Sequence, residues 1–147
     1  MTKVLEQKIQ EIEGKFPGIA KKVELYKGAT WGMHWNAGIT DINYIETDNY
    51  QIVATRWNEH SWGEGGGGVK WTDFISVYYK LKQTEAEIKK IDTEKVVTRH
   101  QYNPKYDRTD LWGYNNVCVK EIKNDEIQVS WANKDGDTKL TYKIKIT

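Results

Sequence analysis

Cysteine is almost missing from this chain of 147 residues, in which Cys118 is the only one. A single cysteine cannot form an intramolecular disulfide and cannot supply the several thiolates of a cysteine metal cluster. A chain without disulfides suits a reducing compartment or a secreted protein without bridges, and we expect a cytoplasmic protein.

A charge excess and a long apolar run are missing as well. The 22 basic and 21 acidic side chains leave a formal net charge of +1, which is too small to favour nucleic acid or an anionic membrane as a partner. The N-terminal residues 1–16 lack the apolar stretch of a signal peptide, and no segment approaches the roughly 18 apolar residues of a membrane span. We therefore expect a soluble protein with no membrane partner.

Aromatic residues, by contrast, are plentiful: the chain has 7 Trp, 9 Tyr and 2 Phe. Disordered chains are depleted in such residues, so this composition indicates a folded protein. The length is typical of one domain, and we predict a single domain over 1–147, with a helical segment at 1–28 and a β meander at 30–147.

The helical segment is predicted from its apolar spacing. Leu5, Ile9, Ile12 and Phe16 recur at intervals of four, three and four residues, which places them on one stripe of an amphipathic helix. Pro17 and Gly18 end that helix, and a second helical stretch is expected from Ile19 to Gly28.

From Thr30 onward the apolar period is two, which is typical of short antiparallel strands. The polar segment 84–92 is expected to form a helical turn, and residues 36–38 and 63–68 are expected to be turns. The predicted strands are 30–35, 39–46, 50–62, 69–82, 94–102, 114–123, 126–132 and 138–146.

About eight strands with short connections predict a mainly β fold, either an antiparallel up-and-down barrel or a strongly curved sheet covered by the N-terminal helix. The strand number resembles lipocalin-like and fatty-acid-binding barrels. The hairpin over 50–91 also resembles the cone-shaped sheet of the nuclear-transport-factor-like superfamily. These are resemblances of architecture alone, and a fold does not fix a function.

The hairpin over 50–82 carries the candidate site. Symmetrical pairing across the loop from Gly63 to Gly68 would join Tyr50 to Leu81 and Trp62 to Val69. One face of this hairpin is then apolar far from the loop and polar or aromatic near it, as a ligand pocket requires. The candidate ligand-binding residues on that face are Arg56, Asn58, His60, Trp62, Trp71, Asp73 and Tyr79.

The other face of the hairpin carries Trp57 opposite Phe74 and Val53 opposite Tyr78, and we expect it to be core. An alternative for the first face is that Arg56 and Asp73 form only a solvated cross-strand ion pair. Tryptophans are dense in this region, and indole rings near turns offer stacking surfaces for bases and sugars. Five of the seven lie between residues 31 and 71: Trp31, Trp35, Trp57, Trp62 and Trp71.

Other motifs argue against further sites. The glycine run at 63–68 lacks the Lys-Ser/Thr and helix of a phosphate loop, which favours a hairpin tip or lid. Residues 135–137 read as a turn, because the calcium-loop pattern is absent. His34, His60 and His100 lack metal-ligand spacing, and Cys118 lies mid-strand, where a small buried hydrophobe is expected. We expect no metal and no cofactor.

The segment 95–112 interleaves basic and aromatic residues, a composition that can bind single-stranded nucleic acid. Asp107 and Asp110 reduce the net positive charge of this segment. The composition therefore favours a charged loop around Pro104 that is anchored by its aromatic residues, and we do not expect nucleic acid as a partner.

These features predict a non-enzymatic protein that binds a compact polar-aromatic ligand, nucleotide-like or sugar-like, near the loop from Gly63 to Gly68. Two alternatives stay open. One is a lipocalin-like lyase, isomerase or hydrolase that uses His60 with Asp73 or Glu59. The other is an interaction module, such as an inhibitor or immunity-type protein, with a protein partner or a second copy of the chain.

Overall fold

The computed structural model describes residues 3–23, 35–62, 69–83 and 85–147. Antiparallel strands predominate, as the sequence predicts. The helices are α1 (Lys3–Lys15) and α2 (Ile19–Lys22), and the strands are β1 (Trp35–Glu46), β2 (Tyr50–Trp62), β3 (Val69–Leu81), β4 (Lys89–Asp92), β5 (Val96–His100), β6 (Asn116–Lys123), β7 (Glu126–Ala132) and β8 (Thr138–Lys145).

Helix α1 forms where the apolar spacing predicts it. Its stripe of Leu5, Ile9 and Ile12 is buried against one face of the first sheet, at Ile42, Val53 and Tyr78 among other residues. A turn at Gly18 follows the helix. Its φ of 97° is a conformation that glycine adopts readily, and its N–H donates to the Glu13 carboxylate at 2.7 Å. Helix α2 ends at Lys22, before the predicted end at Gly28. Residues 24–28 of that prediction lie outside the described ranges.

The first sheet has the order β1-β2-β3, and two short strands share the remaining edge of β3. Strand β4 pairs with the stretch from Ser76 to Tyr79, and β5 pairs with the stretch from Lys70 to Asp73. The predicted register of the central hairpin is confirmed, because Tyr50 pairs with Leu81 and Trp62 with Val69.

Two local predictions in this sheet are wrong. Strand β1 runs through 36–38 instead of turning there, and a register shift between Ile39 and Asp41 takes up one extra residue. The segment 84–92 contains strand β4 rather than a helical turn, because Ile91 packs on the core while its polar neighbours face solvent at the sheet edge. Of the strand predicted at 30–35, residues 30–34 lie outside the described ranges.

The second sheet has the order β6-β7-β8 and packs on the opposite face of the first sheet from α1. Its buried Ile127, Val129 and Trp131 share one core with Ile52 and Val77. The molecule thus has three layers: helix, five-stranded sheet and three-stranded sheet.

The described strands do not close into a barrel, so neither the barrel nor a single curved sheet is confirmed. The connection between β5 and β6 explains the difference. It contains two 3₁₀ turns, Pro104–Tyr106 and Thr109–Leu111, and proline has no N–H with which to continue a strand ladder. The chain therefore leaves the first sheet and starts a second one.

Side chains join the two sheets where β1 meets β6. Asp41 accepts a hydrogen bond from the Val117 N–H at 2.9 Å, and the Asn43 amide donates to the Val117 carbonyl. The Thr40 hydroxyl donates to the Asn115 carbonyl at 2.6 Å. These side chains satisfy backbone groups that a neighbouring strand would otherwise satisfy.

No helix in the described ranges is long and apolar enough to cross a membrane.

Candidate functional site

Four of the predicted site residues line one cavity of about 180 Å³: Arg56, Asn58, Trp71 and Asp73. They come from β2 and β3. The register of these two strands places them at the polar end of the face that meets the second sheet. The other wall of the cavity comes from strand β5 and from the segment that starts at the end of the second 3₁₀ turn: Thr98, Arg99, Leu111, Trp112, Gly113 and Asn115.

The remaining predicted residues have other positions. His60 packs edge-on against Trp71, with 5.4 Å between ring centroids, beside the cavity. Tyr79 belongs to the core between the sheets, where its ring contacts Tyr50, and it is not among the residues that line this cavity. Strand alternation carries it to the same face, but at the apolar end. The Trp62 side chain, Trp31, the Trp35 side chain and the loop from Gly63 to Gly68 lie outside the described parts of the chain.

The floor of the cavity is a buried ion pair. Arg56 Nη1 lies 3.1 Å from Asp73 Oδ1, and the two side chains are 2% and 7% exposed. The alternative of a solvated pair is therefore wrong. The Asn58 amide also donates to Asp73 Oδ1, and the Thr98 hydroxyl donates to Oδ2 at 2.5 Å. Both oxygens of this buried carboxylate thus have partners, which a buried charge requires.

Arg56 connects this floor to the second sheet. Its guanidinium carbon lies 3.9 Å from the centroid of the Trp131 ring, and its Nε donates to the Tyr114 carbonyl at 3.2 Å. Burial lowers the pKa of Arg56 from its ordinary value, and the charge of Asp73 opposes that shift. The guanidinium stays protonated, because arginine ionises far above neutral pH.

Two indole rings and a guanidinium form the rim of the cavity. Arg99 Cζ lies 5.1 Å from the centroid of the Trp71 ring and 5.4 Å from that of Trp112. The Trp112 N–H donates to the Thr98 carbonyl at 3.1 Å, which fixes the ring while 48% of the residue stays exposed. The rim therefore offers both flat rings and a cation to a ligand.

Sequence reasoning missed Thr98, Arg99 and Trp112 as partners of the hairpin residues. It singled out the segment 95–112 for its basic and aromatic content, but as a separate feature. The structure brings the two together because β5 pairs with β3, with Arg99 opposite Trp71. No local pattern specifies which edge a five-residue strand joins, so the sequence carries no signal for this pairing.

The arrangement gives little support to catalysis by His60. Asp73 is already engaged by Arg56, Asn58 and Thr98, and Glu59 forms an ion pair with Lys95 at 3.1 Å. Burial lowers the pKa of His60 from its ordinary value, with the charge of Asp73 opposing the shift, which favours the neutral imidazole. Neither carboxylate is placed to orient or activate it.

The described residues contain no cluster of three or more His, Cys, Asp or Glu side chains that could hold a metal ion. The segment 133–137 is a turn, as predicted: the Asn133 side-chain oxygen accepts from the N–H groups of Asp135 and Asp137, at 3.0 and 2.9 Å. Such bonds are typical of an Asx turn. Cys118 is exposed rather than buried, because its side chain points away from the core on β6.

Comparison with protein-family models, with curated proteins and with solved structures gave no match for this chain. The site has to be interpreted from its own chemistry.

Proposed function

We propose that this protein binds a compact ligand with a flat ring in the cavity between the β2–β3 hairpin, β5 and the segment that precedes β6. One observation carries the proposal: Arg56, Asn58, Trp71 and Asp73 from the hairpin converge with Thr98, Arg99 and Trp112 from a distant segment on one cavity. Ligand sites combine such ring surfaces with a few convergent polar groups.

The size of the cavity supports a compact ligand. Its volume of about 180 Å³ lies below the roughly 300 to 1,000 Å³ of sites for drug-sized molecules. A single ring with one or two polar substituents suits this space better than a lipid chain. Trp71 and Trp112 supply the apolar surface, and the Asn58 and Asn115 side chains supply donors and acceptors for hydrogen bonds.

Binding without catalysis is favoured by the state of the buried groups. Asp73 is held by three partners, Glu59 is paired with Lys95, and His60 is packed against Trp71. A histidine base is oriented by a partner that is free to bind it, and both nearby carboxylates are engaged elsewhere.

Native mass spectrometry of the purified protein tests the proposal first, because a retained ligand appears as added mass. The ligand found is then titrated by calorimetry into the parent protein, Trp71→Ala and Trp57→Ala. Trp71→Ala should weaken binding by roughly 1 to 3 kcal/mol, the contribution of one aromatic stack. Trp57 lies on the opposite face of the hairpin, and its variant should keep the parent affinity. Equal affinity of all three proteins would refute this site.

An interaction module is the second candidate, and the exposed rings of Tyr102 and Tyr106 next to β5 favour it. The same native spectrum separates the two functions. A small retained mass supports the ligand site, whereas a doubled mass without ligand supports a self-association surface.

A further inference from the structure

Arg99 differs from the other arginines of the chain in its surroundings. The sequence has three arginines, and two of them have carboxylate partners: Arg56 pairs with Asp73, and Arg108 pairs with Asp110 at 3.0 Å. No carboxylate in the described ranges lies within ion-pair distance of Arg99. Its charge is therefore available to a ligand at the rim of the cavity.

Arg99 packs close to two indole rings. The guanidinium carbon lies 5.1 Å from the centroid of the Trp71 ring and 5.4 Å from that of Trp112, within the range of cation–π attraction. Rings contact the faces of a guanidinium, whereas its N–H groups point outward in its plane. The rings thus order the side chain before any ligand arrives, which lowers the entropic cost of binding.

The charges that line the cavity favour an anion. Asp73 is neutralised by Arg56 and satisfied by Asn58 and Thr98, so a cationic ligand finds no available carboxylate. The lining contains two arginines and one aspartate, which leaves the excess positive charge at Arg99. A neutral sugar would make no use of that charge.

We infer that the ligand of this cavity is an anion, with a carboxylate or phosphate group bound by the guanidinium edge of Arg99 and a flat ring packed against Trp71 and Trp112. This inference rests on the proposed function and names its ligand class. Arginine binds both groups through two parallel N–H···O bonds, which gives it the required geometry.

Four small probes of similar shape test the inference on the full chain: benzoate, phenyl phosphate, neutral benzamide and cationic benzamidine. Binding is followed by NMR from the indole N–H signals of Trp71 and Trp112, assigned with single Trp→Phe variants. We expect the signals to shift with benzoate or phenyl phosphate at concentrations where benzamide and benzamidine have little effect. The stronger of the two anions identifies the preferred group.

Variants of Arg99 connect the charge preference to this side chain. Arg99→Gln should weaken binding of the anionic probe by about 10- to 100-fold, which corresponds to one hydrogen bond to a charged group. Arg99→Lys should retain an intermediate affinity, because it keeps the charge but loses the planar pair of donors. Arg108→Gln is the matched control, since Arg108 lies in the same segment but pairs with Asp110. Thermal melts near that of the parent show that each variant is folded.

Two results would overturn the inference while leaving the proposed function in place. Either benzamide shifts the two signals as strongly as benzoate, or Arg99→Gln binds the anions as tightly as the parent does. In both cases a ring still binds at Trp71 and Trp112. The absence of any shift with all four probes would overturn both proposals.

Discussion

The guanidinium carbon of Arg56 lies 3.9 Å from the centroid of the Trp131 ring, and this contact joins the two sheets next to the cavity. Both residues are almost fully buried. Arg56 pairs with Asp73 within the first sheet and reaches the Tyr114 carbonyl outside it. One side chain thus supports the packing of the sheets and forms the floor of the site.

This position predicts that Arg56 acts mainly on stability. Arg56→Met should lower the free energy of unfolding by about 3 to 5 kcal/mol, because it leaves the Asp73 carboxylate buried without a cation. Adding Asp73→Asn should restore much of the loss, since asparagine carries no charge, its side-chain oxygen can still accept from Asn58, and its amide nitrogen can donate to the Thr98 hydroxyl. Urea denaturation of the parent, both single variants and the double variant measures the coupling. A loss below about 1 kcal/mol in Arg56→Met, as for an exposed pair, would contradict the prediction.

The junction of β1 with β6 predicts an unequal effect of its two charged residues. Asp41 accepts from the Val117 N–H at 2.9 Å and from Lys8 Nζ at 3.0 Å. Asp41→Ala should cost about 2 to 3 kcal/mol of unfolding free energy, because it leaves a buried backbone N–H without an acceptor. Lys8→Met, the control, should cost under about 1 kcal/mol, since Lys8 is partly exposed. Similar losses in the two variants would show that the ion pair, and not the Val117 bond, holds the junction.

The outer face of the hairpin predicts a stability role for Trp57. Its ring is stacked on Phe74, with 6.2 Å between centroids and 6° between planes, and its N–H donates to the Thr55 hydroxyl at 2.7 Å. Trp57→Ala should lower the free energy of unfolding by roughly 3 kcal/mol, at the low end for a buried aromatic ring, because Trp57 is only half-buried. Trp71→Ala, at the rim of the cavity, should cost less. Chemical denaturation of both variants checks the order, and the reverse order would be inconsistent with the packing.

Tyr78 predicts a loss of stability at alkaline pH. Burial, with a smaller contribution from the charge of Asp92, raises the pKa of Tyr78 to about 12. In the unfolded chain tyrosine ionises near 10, so above that pH the unfolded state loses its proton first. The free energy of unfolding should therefore fall as pH rises from about 10 to about 12. Urea denaturation across this range should show a shallower fall for Tyr78→Phe, whereas parallel profiles would contradict the assigned pKa.

Local patterns in the sequence determined much of this fold. The stripe from Leu5 to Phe16 predicted α1, and alternation predicted β2, β3 and β7 almost to the residue. The central register followed from symmetry across the glycine run, and the burial of one face followed from the register. These features depend on the helical and strand periods and on the burial of apolar side chains, which neighbouring residues specify among themselves.

Only the tertiary structure decided how the strands divide into two sheets and what completes the cavity. The strands after the segment 101–115 leave the first sheet, and β5 takes the edge of β3 that puts Arg99 close to both Trp71 and Trp112. Asp41 likewise reaches Val117, far along the chain, through a side chain instead of a strand ladder. Such contacts join segments with no common period. They are selected by packing of the whole chain, because a short polar strand can pair equally well with several edges.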